Sequence, residues 1–259
     1  MFRFGDMYER LGEIRKNPIL GKMKPCRIVG NTYFVGTYQA SAHLLDTGEG
    51  LILIDTGYEN TAEFVLESIR ALGFRPEDIR YVVHTHWHGD HTAATPKIVA
   101  ASGAKTLIGR ADAERVKRFF EPDILIDDGD TLSLGNTTLR FLHTPGHTAG
   151  TVSFFYETED NGRTLSVGSF GGAGVNTLSE DTLEFEDARE AYLRSLDRLS
   201  EERIDVFVGN HVWNNDTYHK SIAFKEGANP FINDKLFGTF LMSCRRRLMD
   251  VIAKENAKM

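Results

Sequence analysis

Cysteine is scarce: Cys26 and Cys244 are the only two in 259 residues, and they lie near opposite ends with no CxxC pair. That pattern suits a reducing compartment with two free thiols and supports no disulfide between them. Lys/Arg-rich tracts are missing as well. Thirty basic residues against 37 acidic ones leave a net charge of −7, so no stripe tracks phosphates and nucleic acid is not an expected partner. No apolar run approaches the roughly 18 to 20 residues of a membrane span. The opening MFRFGDMYERLGEIRKNP is polar and charged, without the apolar core of a signal peptide. A cytoplasmic location, away from membranes, is the expectation.

What remains is enough for a large core, since 41% of the residues are hydrophobic. Short β-branched and aromatic runs from RIVGNTYFV (27 to 35) through SAHLL and LILID read as a strand meander. NTAEFVLESIRALG follows, with Asn60 as cap, Val65, Ile69 and Leu72 on one face, and Gly73 as the stop. RYVVHT (80 to 85) is a buried strand, after which Thr95 and Pro96 open a helix that Gly103 closes. The second half repeats strands separated by DGD and LGN turns, then a glycine-rich loop, GSFGGAGVN, expected to be flexible and beside a cleft. A helix near 186 to 199 precedes IDVFVGNH, a strand ending in histidine, and a last helix covers about 234 to 254. The order suggests a duplicated α/β layout. No composition break marks a linker, so one domain over 1 to 259 is expected, with an N-terminal extension of about 25 residues.

Four of the nine histidines fall in HTHWHGDHTA, residues 84 to 93. His86, His88, Asp90 and His91 form HxHxDH on the bend after a buried strand, where α/β sheets place ligands. His147 in HTPGHTAG and His211 in VGNHVW also stand just past apolar runs. Five imidazoles and a carboxylate can therefore meet at one rim. Imidazole with carboxylate suits zinc, and a site without cysteine that keeps a position for water is catalytic in character. His84 and His143 lie within strands and read as structural, and His43 and His219 have no motif around them.

THWHGDH, with LILIDTG upstream, TPGHTAG in the middle and a late GNH, resembles the metallo-β-lactamase superfamily over about residues 28 to 215. The resemblance implies an αββα sandwich with two Zn²⁺ at one edge. Carried onto this chain, His86, His88 and His147 would hold one ion and Asp90, His91 and His211 the other, with Asp55 orienting a ligand. Most of the superfamily's hydrolases have an aspartate bridging the metals where this chain has Ser169. Serine there, with this ligand set, is similar to the third subclass of metallo-β-lactamases. Without the bridging carboxylate the cleft would carry about one more positive charge, which favours an anionic small-molecule substrate.

The implied reaction is attack of a metal-bridging hydroxide on a carbonyl, with Asp90 orienting the nucleophile and passing on its proton. A β-lactam-like cyclic amide is the leading substrate, and an intracellular lactone or thioester the alternative. Ser169, Asn176 and Asn214 are candidate substrate contacts, and Trp87 and Trp213 a candidate aromatic lip. The superfamily's redox members fit less well, because diiron flavoprotein reductases carry glutamate at the position of His88 and sulfur dioxygenases rely on the aspartate that Ser169 replaces.

Overall fold

A computed structural model of the chain describes residues 11–225 and 227–258. Two mixed sheets pack face to face, with helices on both outer surfaces. The first sheet runs β1 (Cys26–Val29), β2 (Thr32–Phe34), β3 (His43–Asp46), β4 (Leu51–Ile54), β5 (Ile79–Val83), β6 (Lys105–Gly109) and β7 (Ile124–Ile126) in spatial order. The second has the order β12-β11-β10-β9-β8, formed by β8 (Thr131–Leu134), β9 (Thr137–His143), β10 (Val152–Asp160), β11 (Arg163–Ser169) and β12 (Val206–Phe207).

Side-chain alternation explains the layering. In LILI of β4, Ile52 and Ile54 enter the cluster between the sheets, while Leu51 and Leu53 face Val65, Ile69 and Ile98 from the outer helices. Both faces of the strand are covered, so all four residues are apolar. β10 behaves alike: Phe154 and Tyr156 point between the sheets, and Phe155 points to the opposite helices. Each such residue, fully buried, stabilises by about 1.5–3 kcal/mol relative to exposure. The outer cover is Ala62–Ala71 and Thr95–Ser102 on one side, and Ala188–Leu199 and Leu236–Asn256 on the other. The fold is thus an αββα sandwich, as the resemblance implied.

Several local expectations need correction. The halves are not copies: β4 to β7 pair in parallel after an antiparallel meander, whereas the second sheet has a single parallel pair, β11 with β12. Asn60 does not cap the first long helix. It lies in a 3₁₀ turn, Glu59–Thr61, and donates to Asn17 Oδ1. Thr95 is already helical after Ala94, and its hydroxyl is shared with Thr56 and His84 instead of the backbone. Gly103 does end that helix in the left-handed region at φ +70°. Of the expected N-terminal extension, residues 1 to 10 lie outside the described residues; Leu11–Lys16 is helical. Among the described residues no helix is long and apolar enough to cross a membrane.

Candidate metal centre

The chain leaves β5 at Val83 and turns through His84–Gly89 into a short helix, Gly89–Thr92. This bend brings His86, His88, Asp90 and His91 to the edge between the sheets. His147 arrives from the loop between β9 and β10, and His211 four residues beyond β12. All stand past the carboxyl ends of strands, where backbone direction turns side chains into the crevice.

Ligand atoms of His86, His88 and His147 lie within 4.8 Å of one another, as do those of His86, Asp90 and His91. His211 sits beside the second group, its Nε2 3.9 Å from Asp90 Oδ2 and its ring 5.1 Å from that of His91. His84, His43, His143 and His219 stay out. His84 is buried against Phe120, His143 donates to Ala149 O, and His219 pairs with Asp216 on an exposed helix.

Partners of the second ring nitrogen fix each tautomer. His86 Nδ1 donates to Gly171 O at 2.9 Å, His147 Nδ1 to Gly174 O at 2.9 Å, and His211 Nδ1 to Gln39 O at 2.5 Å. A carbonyl can only accept, so Nε2 of each keeps a bare lone pair. His91 Nδ1 donates to Asp55 Oδ2 at 2.8 Å. His88 is reversed: its Nε2 meets Glu184 Oε1 at 3.1 Å, which leaves Nδ1 bare.

With both rings neutral, His88 Nδ1 consequently faces His147 Nε2 at 3.0 Å with no hydrogen between them. Two lone pairs at this distance repel unless a cation is shared, either a proton or a metal ion. Burial and the neighbouring His88 push the His147 pKa down to about 3, so His147 does not itself carry such a proton. His91 Nε2 is likewise buried without a hydrogen-bond partner, 3.4 Å from Asp90 Oδ2. Burial opposes charge on both members of that pair, yet Asp90 and Asp55 raise the His91 pKa to about 10, and His91 and His211 hold the Asp90 carboxyl well below its usual range. Converging buried imidazole nitrogens and a carboxylate, without a thiol, fit a borderline divalent ion such as zinc.

Three carboxylates brace this arrangement. Asp55, at φ +56° just past β4, accepts from Thr85 N and Thr85 Oγ1 besides His91. Asp112, missed in the sequence, is buried and accepts from Trp87 N, Thr148 Oγ1 and Gly150 N, tying the HxHxDH bend to the His147 loop. Glu184, also missed, bridges His88 Nε2 and Trp87 Nε1. Neither belongs to a motif, and each meets the bend only through the fold.

The sequence model of the metallo-beta-lactamase superfamily matches residues 35–211. The chain belongs to the metallo-beta-lactamase superfamily. It is 34% identical over 181 residues to the beta-lactamase-like protein 2 homolog of Caenorhabditis elegans, covering 68% of this chain and 57% of that one. It is 33% identical to the hydroxyacylglutathione hydrolase of Methylococcus capsulatus, covering 52% and 47%. The chain thus spans about half the length of the curated relatives it matches. Its fold is similar to that of BJP-1, a subclass B3 metallo-beta-lactamase of Bradyrhizobium japonicum, with TM-score 0.85, 27% identity, and 92% and 97% of the two chains covered.

The histidine cluster opens into a cleft of about 830 Å³ walled by Tyr58, Lys97, Phe119, Asn176 and Asn210 around His88, Asp90, His147 and His211. Of the sequence candidates for substrate contact, Asn176 reaches it. Ser169 is buried at the end of β11 and does not line the cleft. Asn214 is also buried, donating to Asn210 Oδ1, whose own amide donates to Gly171 O. Trp87 packs with Ile108 and Val116 beneath Arg118, so it forms no lip. Trp213 is exposed and stacks on His211, with ring centroids 4.7 Å apart and planes within 4°. GSFGGAGVN is not a loose loop: Gly171, Gly172 and Ala173 are buried, and a Cβ at Gly171 would stand 1.9 Å from Val152 O.

Proposed function

We propose that this chain is a dinuclear zinc hydrolase that opens a cyclic amide of the β-lactam type. The observation that carries the reading is the pair of bare, facing nitrogens His88 Nδ1 and His147 Nε2 at 3.0 Å. His86, His88 and His147 would hold one ion, and Asp90, His91 and His211 the other. Bound zinc supplies Lewis acidity, which brings the pKa of water toward about 7 and polarises a carbonyl.

The protein's own groups do the rest. Asp90 faces the cleft, where its carboxylate orients the attacking water and accepts its proton. Lys97 lines the same wall and offers a cationic contact to an anionic substrate. Tyr58 and Phe119 offer apolar surface to the remainder of the molecule. Fold similarity to a subclass B3 enzyme over nearly the whole chain supports the amide reading. A second reading, lactone or thioester hydrolysis at the same centre, draws support from the relative named as hydroxyacylglutathione hydrolase.

The test is turnover of the zinc-loaded protein over β-lactams, lactones and thioesters, with metal content measured in parallel. Two ions per chain and a rate that falls at least about 100-fold in Asp90→Asn are expected. A chain that binds no divalent ion, or an Asp90→Asn variant at full rate, would sink the proposal.

A further inference from the structure

Five candidate ligand histidines need five partners to aim them. Three are main-chain carbonyls, those of Gly171, Gly174 and Gln39. The other two are carboxylates. Asp55 holds His91 and is read from the DTG turn, but nothing in the sequence assigns Glu184.

We infer that Glu184 is the positioning residue that turns His88 into a ligand through Nδ1, and so decides whether the His86/His88/His147 cluster holds its ion. The carboxylate is well placed to fix both the tautomer and the tilt of the ring. Oε1 lies 3.1 Å from His88 Nε2, and Oε2 lies 3.1 Å from Trp87 Nε1, so neighbouring side chains clamp the two oxygens. The Trp87 indole is itself fixed, with Arg115 and Arg118 over its ring at 5.4 and 4.4 Å. With no acceptor at Nε2, a neutral His88 has no reason to keep its hydrogen there, and the hydrogen would move to Nδ1, where it satisfies His147 Nε2 at 3.0 Å. That tautomer closes the cluster with an ordinary imidazole–imidazole hydrogen bond and removes two lone pairs at once. Glu184 thus opposes a metal-free resting state that its neighbours would otherwise adopt.

The inference rests on the metal reading of the site, and its test separates the two. Histidine tautomers are read from nitrogen chemical shifts in the metal-free protein, and zinc affinity and stoichiometry by titration, for the parent, Glu184→Ala, Glu184→Gln and Trp87→Phe. In the parent, His88 should carry its hydrogen on Nε2. Glu184→Ala should move it to Nδ1 and weaken one of two ions by about ten- to a hundred-fold while leaving the other. Glu184→Gln keeps a single acceptor oxygen and should restore most of that affinity. Trp87→Phe removes one clamp, leaves the His88 contact, and should bind both ions. Parent-like tautomer and affinity in folded Glu184→Ala would overturn the role of Glu184 alone. A parent that takes up no zinc would overturn the metal reading with it. If Glu184→Ala does not fold, an Nδ1–H tautomer at His88 in the parent, or Glu184→Gln that binds no better than a His88→Ala control, overturns the inference.

Discussion

Asp55 and Glu184 do the same work from unlike foundations. Asp55 follows directly on β4, its backbone N bonded to Val83 O, and its oxygens accept three bonds inside the protein. Glu184 hangs from the long connection between β11 and the helix Ala188–Leu199, its side chain 14% exposed against 2% for Asp55. One side of the centre is therefore welded to the sheet and the other is tied to a loop. A carboxylate behind each of two candidate ligands need not mean equal cost when each is disturbed.

Removing the carboxylates is the sharpest way to break the comparison. Asp55→Ala leaves the buried His91 Nδ1–H and Thr85 N–H without acceptors, and unfolding of the metal-free protein in urea should show a loss of about 3–5 kcal/mol. Glu184→Ala should lose about 1 kcal/mol in the same experiment, since the His88 hydrogen it releases can move to Nδ1 and bond His147 Nε2. Equal losses would mean that the loop is as integral as the strand end.

His43 supplies the next effect, and it acts from the strand side. Burial lowers its pKa to about 4, so the folded state keeps it neutral while the unfolded chain takes a proton below about 6.5. The stability it contributes is complete above pH 6.5 and is lost as pH falls toward 4, amounting to about 3 kcal/mol. Stability curves of the parent and His43→Leu between pH 4 and 7 should diverge by that slope; parallel curves would contradict it. Trp213→Ala comes last. The indole stacks on His211 from outside, so KM should shift by about fivefold or less with zinc content unchanged. A lost ion would show that the stack aims the imidazole.

The sequence made the candidate ligands legible because HxHxDH packs four donors into one bend, and because His147 and His211 each follow an apolar run. The αββα sandwich came from the family resemblance that THWHGDH, LILIDTG and TPGHTAG carry, and strands covered on both faces, such as LILI of β4, have no polar alternation. Partners were harder to read. Asp112 and Glu184 reach the bend across 25 and 96 residues, with no local pattern to advertise them. Caps failed where tertiary contacts outbid local ones, as when Thr95 turned its hydroxyl to His84 and Thr56. Ser169 ends β11 and Asn214 follows closely on His211, yet side-chain direction took both into the interior.

The glycine-rich connection after β11 separates two inheritances. Gly171 and Gly174 aim imidazoles through peptide oxygens; a Cβ at Gly171 would meet the Val152 carbonyl, and one at Gly174 would press on the His147 ring at 3.0 Å. Asn176, two positions on, presents its side chain to the mouth. Exchanges at the outward position can retune which molecules are admitted, while the aim of His86 and His147 travels with main-chain atoms that no side-chain replacement deletes.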